Sequence, residues 1–354
     1  MTTARARWTI EEAQSWYAGQ PWLVGCNFIP STAVNQLDMW QAETFDAETI
    51  ERELRWAAEI GFNTARVFLH DLLWRQDERA FAARIDRFLT IAERFGIRPM
   101  FVLFDGVWYP KPKLGPQRPA RNRVHNSGWL QSPGVEILSD PARHDELQGY
   151  VQGIIERFQD DARVLAWDIF NEPAAPNPAY ARHEPADKPR LAAALLGNAF
   201  RWAREAQPQQ PLTAGLWSGP WTAGNSLSEI NALMRAESDV ISFHSYEPLE
   251  KVRALIDELA EEGRPLLITE YLARTLGSTF QALLPLFKER NVGAYNWGFV
   301  SGKTQTIYPW DSWTKTYDDE PEPWFHDIFR PDGTPYRREE TRLIQELTGR
   351  SSSP

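Results

Sequence analysis

Two glutamates in this 354-residue sequence stand where short apolar runs end. Glu172 follows Asn171 in the stretch AWDIFNEPAAPNP (166–178), and Glu270 lies near the end of the stretch LLITEY (266–271). If both runs are strands that open on one cavity, their carboxyls cannot ionise equally, because each raises the cost of charging the other. One then stays protonated and the other is an anion. That division into an acid and a nucleophile or base is what cleavage of a glycosidic bond requires.

The elements that must position these glutamates alternate regularly along the chain. Apolar runs of strand length are followed by amphipathic stretches of helical period. The predicted strands cover 22–29, 64–70, 98–104, 163–170, 211–217, 239–246, 264–271 and 292–299. Runs that are apolar throughout are typical of strands covered on both faces, and strict alternation with helices predicts a parallel sheet. We therefore predict an α/β fold, a (β/α)8 TIM barrel.

The helices between these strands carry boundary signals of their own. In the stretch 46–61, Asp46 is a plausible N-cap and Gly61 a plausible residue just beyond the helix end. Further helices are predicted at 79–96, 143–158, 189–206, 226–235, 249–262, 279–290 and 338–348. No Gly-x-Gly-x-x-Gly follows the first strand, which argues against a doubly wound dinucleotide-binding sheet. We interpret residues 1–354 as a single catalytic domain.

Three strand-to-helix connections are very long, at about 105–142, 172–188 and 300–337. In a barrel such loops gather at the carboxyl ends of the strands, where barrel enzymes keep their active sites. Many of the 16 tryptophans fall in or beside them, including Trp108, Trp129, Trp297, Trp310 and Trp313. The aromatic segment 310–325 could cap the pocket or pack as an ordered surface loop, and the sequence leaves both open.

Composition narrows the possible partners. The formal net charge is −10, so a phosphate backbone would be repelled and nucleic acid is not an expected partner. No apolar stretch is long enough to cross a bilayer, and we expect no membrane partner. The sole cysteine, Cys26, lies in an apolar run and is expected to be buried and inert. With no secretion signal recognisable at the start of the sequence, the expectation is a cytoplasmic protein.

The stretches DIFNEP and LLITEY resemble the acid/base and nucleophile motifs of retaining glycoside hydrolases of clan A, most closely family 5. Other strand ends match the same family. Arg66 in TARVFLH resembles its strand-two arginine, and His244 and Tyr246 in FHSY resemble its strand-six pair. Trp297 in YNWGF resembles the strand-eight tryptophan that floors the sugar site.

The resemblance implies a role for each matched residue. Glu172 would be the acid/base and Glu270 the nucleophile, with Asn171 bonded to the sugar 2-hydroxyl. Arg66 and Tyr246 would keep Glu270 ionised, and His244 would bond near the acid/base or to a sugar hydroxyl. Asp105 and Trp108, at the end of the third strand and just beyond it, are further candidates for contact with the substrate.

The sequence also departs from the family pattern. The third strand ends in Phe104-Asp105, where many members have a nearby histidine, and His125 in the long loop is a possible substitute. Tyr271 follows the nucleophile, which argues against family 1. The six histidines are scattered and no Gly-x-Ser-x-Gly elbow occurs, so neither a metal nor a cofactor nor a serine triad is expected.

The function predicted from these residues is hydrolysis of β-glycosidic bonds by double displacement, with exo action on short oligosaccharides or glycosides. Two other enzymatic outcomes stay open: an endo-acting β-glucanase or mannanase, and a transglycosylase on the same barrel. The non-enzymatic alternative is an inactive barrel that only binds glycans, against which the intact carboxylate pair Glu172 and Glu270 argues. The sugar accepted and the oligomeric state are left open.

Overall fold

The computed structural model describes residues 4–217 and 228–350. Eight strands form one parallel sheet: β1 Val24–Asn27, β2 Thr64–Phe68, β3 Arg98–Asp105, β4 Ala166–Asn171, β5 Leu212–Thr213, β6 Ile241–His244, β7 Leu266–Tyr271 and β8 Gly293–Asn296. Each lies within a predicted apolar run or ends one residue beyond it. The predicted TIM barrel is confirmed.

The sheet curls until its two ends meet. Its strand order is β5-β4-β3-β2-β1-β8-β7-β6, so β1 pairs with both β2 and β8. Between β5 and β6 the ladder is reduced to single backbone bonds around Leu216, whose N–H donates to Ser242 (3.0 Å) and whose carbonyl accepts from His244 (2.7 Å). The predicted fifth strand is longer than the two-residue β5 observed, because the chain leaves the ladder after Thr213 and returns to it only at this bridge.

Helices surround the sheet in the expected alternation. The α-helices of the described residues are α1 Ile10–Ala18, α2 Gln36–Trp40, α3 Ala47–Glu59, α4 Asp71–Gln76, α5 Glu78–Glu93, α6 Val135–Leu138, α7 Gln148–Phe158, α8 Lys188–Glu205, α9 Ser228–Glu237, α10 Leu249–Ala260, α11 Phe280–Glu289 and α12 Arg338–Thr348. Asp46 caps α3 as predicted, accepting a bond from the Thr49 N–H. Among the described residues, no helix combines the length and apolar character that crossing a bilayer demands.

Helix α1 was not predicted, and it covers the amino-terminal end of the barrel. Thr9 and Glu12 form a reciprocal capping box at its start. Its buried face, Ala13 and Tyr17, packs against side chains near the amino-terminal ends of β1 and β3, such as Leu23 and Met100. The helix belongs to no βα unit, so alternation gave no reason to expect it.

The long connections lie at the opposite, carboxyl end of the strands, as predicted. The connection after β3 runs from residue 106 to 134, that after β4 contains a 3₁₀ helix at Pro178–His183, and that after β8 contains one at Trp310–Trp313. These segments carry many buried aromatic side chains, including Trp129 and Trp324. The long connections are therefore packed walls around the barrel mouth and not solvent-exposed loops.

One buried ion pair anchors the last of these connections. Arg274, just after β7, donates from Nε (2.8 Å) and Nη2 (2.6 Å) to the two carboxylate oxygens of Glu340 on α12, and both side chains are 1% exposed. The same guanidinium donates to the carbonyls of Trp324 and Asp327. A single cation therefore joins the loop after β8 to the final helix.

We predict that Arg274→Met lowers the free energy of unfolding by about 3–5 kcal/mol, because Glu340 would be left buried without a partner. Chemical denaturation would measure it. The double variant Arg274→Met/Glu340→Leu should recover a large share of the loss. Arg190→Met, which breaks an exposed pair with Asp187, is the matched control and should cost under about 1 kcal/mol. A cost as small as the control's for Arg274→Met would contradict the anchoring role.

Candidate active site

A buried arginine organises the floor of the barrel mouth. Arg66 on β2 is fully buried, and its Nε and Nη2 donate to Asp168 (2.9 and 2.8 Å). Nη1 donates to Asn27 and to Glu270 (both 2.9 Å), and Nη2 donates to Asn171 (2.7 Å). Strands β1, β2, β4 and β7 thus meet on one guanidinium, as the geometry of a planar fork with five N–H donors allows.

Asn27 and Asp168 complete this network but were not predicted as site residues. Their signal was present in the sequence, since each is a polar residue inside an otherwise apolar strand. A buried carboxylate on a central strand needs a partner. The partner of Asp168 is Arg66, and this ion pair fixes the position of the buried guanidinium.

Glu270 receives two hydrogen bonds at the end of β7. Its Oε1 accepts from Arg66, and its Oε2 accepts from the Tyr246 hydroxyl at 2.6 Å. Burial raises the pKa of Glu270, and the nearby Glu172 adds to the rise, while Arg66 and Tyr246 oppose it. Burial outweighs the effects of Arg66 and Tyr246, and their role in keeping Glu270 ionised stays a prediction. Both partners favour the anion, so Glu270 is the better of the two glutamates at holding negative charge.

Glu172 projects from a strained turn directly after β4. Its φ is +40°, a region that costs a residue with a Cβ. Gly106 packs against this turn so closely that a Cβ there would lie 2.3 Å from the Glu172 carbonyl oxygen. The Lys188 ammonium donates to the Gly106 (2.7 Å) and Ala175 (3.1 Å) carbonyls. The turn that aims Glu172 is thus fixed from both sides, and sequence reasoning missed Lys188 because α8 presents it from a distant segment.

His244 links the two glutamates. Its Nδ1 lies 2.8 Å from an oxygen of Glu172 and 3.6 Å from an oxygen of Glu270. Burial lowers the pKa of His244 to about 4, so the imidazole is neutral near pH 7. Burial raises the pKa of Glu172 to about 7, against the opposing charges of Arg66 and Lys188. Glu172 has the weaker anion-stabilising environment and is therefore the carboxyl that keeps a proton.

The two carboxyls face each other at short range. An oxygen of Glu172 and an oxygen of Glu270 lie within 4.8 Å. Glycosidases that retain anomeric configuration hold their carboxyls about 5–5.5 Å apart, whereas inverting ones hold them about 6.5–9.5 Å apart to admit a water. The arrangement suits direct attack by one carboxylate on a sugar carbon bound between the pair.

The same three side chains, Glu172, His244 and Glu270, are close enough together to hold a cation. Their donor atoms are already engaged, however. Both oxygens of Glu270 accept hydrogen bonds, and His244 Nδ1 is hydrogen-bonded to Glu172. A cation there would also stand beside the Arg66 guanidinium, which repels it. The arrangement fits proton transfer and nucleophilic attack better than metal binding.

Asn171 and Asp105 extend the network towards β3. Asn171 Nδ2 donates to one oxygen of Asp105 (3.0 Å), and the other oxygen accepts from Trp129 Nε1 (2.6 Å) and Gln36 (3.2 Å). Burial raises the pKa of Asp105 to about 6. Asp105 thus orients Asn171 and Trp129 at the cavity edge.

A cavity of about 380 Å³ lies over this network. Seven of the nine predicted site residues line it: Asp105, Trp108, Asn171, Glu172, Tyr246, Glu270 and Trp297. The other two, Arg66 and His244, lie behind the lining and bond to it. Trp297 is held edge-on against Trp129 (5.8 Å) and Phe68 (5.8 Å), and its remaining surface faces the cavity. The predictions of where these nine residues converge are consistent with the structure, while their individual roles stay predictions.

His125 does not substitute for a strand-three histidine. Its Nδ1 bonds the Tyr308 carbonyl at 2.8 Å, and burial lowers its pKa to about 4. It lines the cavity wall beside Trp108 instead of bonding the glutamates. The neighbouring Asn126 also lines the cavity, and its buried amide has no hydrogen-bond partner among the described residues. No pattern in the sequence singled out Asn126, because a lone amide in a loop is common.

Comparison with known proteins gives a family match and a structural match. A model of "Glycosyl hydrolase family 10" matches residues 123–218, about a quarter of the chain, a segment that includes β4 and Glu172. Set beside the paired carboxyls in the mouth of a TIM barrel, this match decides the class. The chain is an O-glycosyl hydrolase of the clan A type.

Solved structures share the fold of this hydrolase. A GH5_18 protein from Streptomyces cattleya in complex with GlcNAc is 14% identical, with a TM-score of 0.61, over 99% of this chain and 82% of that one. An exo-β-1,4-mannosidase from Opitutaceae bacterium strain TAV5 is 19% identical, with a TM-score of 0.61, over 93% and 60%. An endo-1,4-β-mannanase from Rhizomucor miehei is 14% identical, with a TM-score of 0.57, over 92% and 97%. No curated protein matches the sequence significantly.

We predict that Tyr246→Phe moves the acidic limb of the kcat/KM profile of this hydrolase to higher pH by about 1–2 units. The Tyr246 hydroxyl stabilises the Glu270 anion, so its loss raises the Glu270 pKa, and less of the anion exists at a given acidic pH. The alkaline limb, set by the Glu172 proton with its pKa of about 7, should stay in place. A pH–rate profile on an activated aryl glycoside measures both limbs.

Tyr150→Phe provides the matched control for this experiment. Tyr150 is also buried, and its hydroxyl donates to the Leu103 carbonyl at 2.7 Å and not to a carboxylate. Its loss should leave both limbs unchanged. An unmoved acidic limb in Tyr246→Phe, or an equal shift in the two variants, would show that Tyr246 does not control the charge on Glu270.

Proposed function

We propose that this chain is a retaining, exo-acting β-glycosidase that removes the terminal sugar from short oligosaccharides or glycosides. The observation that carries the proposal is the pair Glu172 and Glu270, within 4.8 Å of each other across one cavity and in unlike environments. Glu270 accepts bonds from a guanidinium and a phenol, whereas the hydrogen-bond partner of the Glu172 carboxyl among the described residues is a neutral imidazole.

In the first step Glu270 attacks the anomeric carbon while Glu172 gives its proton to the leaving glycosidic oxygen. The anion on Glu270 becomes an ester to the sugar, and the leaving group departs as an alcohol. Burial keeps the Glu172 proton in place up to a pH of about 7. Glu270 loses its charge as the ester forms, but the other carboxylate partner of Arg66, Asp168, still balances the guanidinium.

In the second step Glu172, now an anion, takes a proton from water, and the hydroxide formed attacks the anomeric carbon. The ester bond breaks, Glu270 is an anion again, and the sugar keeps its anomeric configuration. His244 is placed to stabilise the transient Glu172 anion, because its Nδ1 lies 2.8 Å from that carboxyl and can donate a hydrogen bond to it. A sugar hydroxyl in place of the water would give transglycosylation at the same site.

Asn171 and Trp297 fit the contacts that the reacting sugar needs. Arg66 and Asp105 fix the Asn171 amide through its oxygen and one N–H, which leaves its second N–H for the sugar 2-hydroxyl. The exposed part of Trp297 offers an apolar face to the sugar ring. Both side chains are held before substrate arrives, so binding costs little ordering entropy.

Exo action is supported by a wall that closes one side of the cavity. Trp108, from the loop after β3, stacks on Trp313, from the loop after β8, with ring centroids 5.1 Å apart and planes 8° from parallel. Tyr180 from the loop after β4 packs edge-on against Trp313, and the Arg121 guanidinium lies 4.3 Å from the same ring. Trp313 Nε1 also donates to the His125 carbonyl at 2.9 Å. A long chain would have to break these contacts to pass through.

We propose β-mannosides as the first substrate class to examine. Structural neighbours include an exo-β-1,4-mannosidase and a GH5_18 protein in complex with Manb1-4GlcNAc. The cavity lining is aromatic and neutral-to-acidic, which suits a neutral sugar. A panel of β-mannosyl, β-glucosyl and β-galactosyl aryl glycosides would identify the sugar that is accepted.

The two glutamates should respond differently to replacement by glutamine. Glu270→Gln should lower kcat at least about 10³-fold for every leaving group, because the nucleophile is lost. Glu172→Gln should lower kcat/KM, which reports the first step, by about 10²–10⁴-fold for poor leaving groups and far less for 2,4-dinitrophenyl glycosides, which need no proton. Steady-state kinetics on a leaving-group series measures both.

Labelling identifies the nucleophile independently. A 2-deoxy-2-fluoro glycoside of the accepted sugar should inactivate the enzyme, and mass spectrometry of its peptides should find the sugar on Glu270. Glu247→Gln, which changes an exposed glutamate after β6, should be labelled and active like the parent. A label on another residue, or hydrolysis with inversion of configuration, would refute the double displacement.

The products of a tetrasaccharide labelled at its reducing end should show the exo mode. We expect the labelled trisaccharide first and free monosaccharide from the start, because the wall admits only the terminal unit to the cavity. Labelled mono- or disaccharide as an initial product would indicate endo action. Chromatography at low conversion separates the two patterns, and addition of a second sugar as acceptor would reveal transglycosylation.

A further inference from the structure

His125 lies in the wall of the active-site cavity, and only one of its two ring nitrogens is used by the protein. The Nδ1 atom lies 2.8 Å from the Tyr308 carbonyl oxygen. No described residue bonds the Nε2 atom, and this atom is not sealed off without a partner as the Nε2 atoms of His244 and His326 are. Because His125 lines the cavity of about 380 Å³, its Nε2 atom is open to a ligand there.

The hydrogen bond to Tyr308 decides where the imidazole proton is. A carbonyl oxygen can only accept, so the Nδ1 atom of His125 carries the N–H. Burial lowers the pKa of His125 to about 4, so near pH 7 the ring is neutral and has this one proton. The Nε2 atom is therefore an acceptor with a free lone pair. A ligand group that bonds it must have a proton to donate, as a hydroxyl does.

The loop after β8 holds His125 in this position. The His125 N–H donates to Ser312 Oγ (3.0 Å), and its carbonyl accepts from Trp313 Nε1 (2.9 Å). The ring packs edge-on against Phe325 and His326, with centroids 6.0 and 5.2 Å away. Together with the bond to Nδ1, these contacts fix the direction of the Nε2 lone pair before a ligand arrives. A hydrogen bond to it therefore costs little ordering entropy.

We propose that His125 is a specificity-determining residue whose Nε2 atom accepts a hydrogen bond from one hydroxyl of the terminal sugar, at a position other than C2. The inference rests on the proposed exo-glycosidase function and deepens it. His125 is bonded to Trp313, which stacks on Trp108 in the wall that closes the cavity. In the proposed function Asn171 receives the 2-hydroxyl, so the hydroxyl at His125 belongs to another carbon of the same sugar.

This contact restricts the substrates that the enzyme accepts. A hydroxyl can donate to the Nε2 atom, whereas a carboxylate, ether or ester oxygen would bring its own lone pairs against that of the imidazole. The enzyme should therefore accept terminal sugars with a free hydroxyl at this position and reject those that are oxidised or substituted there. Because a buried acceptor left without a donor costs free energy, this discrimination does not depend on steric fit alone.

The test combines two histidine variants with fluorinated substrates. In aryl β-glycosides of the accepted sugar, each hydroxyl other than the 2-hydroxyl is replaced by fluorine in turn, because a C–F group cannot donate. His125→Asn keeps an N–H near the Nδ1 position and removes the Nε2 acceptor, whereas His125→Gln keeps a carboxamide near the Nε2 position. We expect His125→Asn to lower kcat/KM about 5- to 50-fold for the unmodified glycoside, and His125→Gln to lower it less.

One fluorinated glycoside should behave differently from the others. For the glycoside that lacks the hydroxyl bound by His125, the parent and His125→Asn should agree within about 2-fold, because neither can form the hydrogen bond. For the other fluorinated glycosides the full loss should persist. Each comparison is made between two enzymes on one substrate, so the electronic effect of fluorine on the reaction cancels.

His144→Asn is the matched control. His144 is also buried, but its Nε2 atom lies 3.2 Å from the Leu138 carbonyl oxygen, and the residue does not line the cavity. The change should leave kcat/KM within about 2-fold of the parent for every glycoside, because no contact with the sugar is lost. Thermal unfolding midpoints of the variants report whether each is folded.

The outcomes separate the role of His125 from the function itself. Equal losses for His125→Asn on all glycosides, no loss on any of them, or a larger loss for His125→Gln than for His125→Asn would overturn the role of His125 and leave the glycosidase intact. A parent enzyme that hydrolyses no β-glycoside would overturn the proposed function, and the assignment of His125 with it.

Discussion

The buried guanidinium of Arg66 is the constraint on which the rest of the site depends. It lies inside the barrel, away from water, with Asp168 and Glu270 as its charged partners. The guanidinium donates to Glu270, and the Tyr246 hydroxyl does so as well, so both favour the anion of that carboxyl. Burial raises the pKa of Glu172 to about 7 and that of Asp105 to about 6. The asymmetry that acid–nucleophile chemistry requires follows from these unlike surroundings of Glu270 and Glu172.

The position of Glu172 depends on contacts made well outside the catalytic pair. A residue at φ +40° stays there only if its surroundings hold it. Gly106 provides the space for the turn, and Lys188 ties the loop after β3 to the loop after β4 through two carbonyls. The Lys188 ammonium also bonds Glu184 at 3.0 Å, so its charge is balanced locally. Helix α8 thus helps aim a carboxyl that no residue of α8 touches directly.

The sequence predicted what depends on local pattern and missed what depends on loops meeting in space. Strand positions follow from apolar runs, and a parallel barrel brings strand ends to one face, so Glu172, Glu270, Arg66 and Tyr246 could be placed together. The Trp108–Trp313 wall joins residues about 200 positions apart and has no local signature. Helix α1 lies outside the βα repeat, so the alternation did not predict it. Asp168 is a lone polar residue in an apolar strand, and the local pattern does not identify the cation that pairs with it. Residues 218–227, which follow Trp217 in the sequence, lie outside the described part of the chain.

Trp310 is connected to the nucleophile through Tyr246. The rings of Trp310 and Tyr246 pack with centroids 5.0 Å apart, and the Tyr246 hydroxyl donates to Glu270 at 2.6 Å. Burial raises the pKa of Glu270, and the Tyr246 hydrogen bond opposes that rise. The side chains that hold the tyrosine ring in place therefore help to keep the nucleophile charged, although they do not touch it.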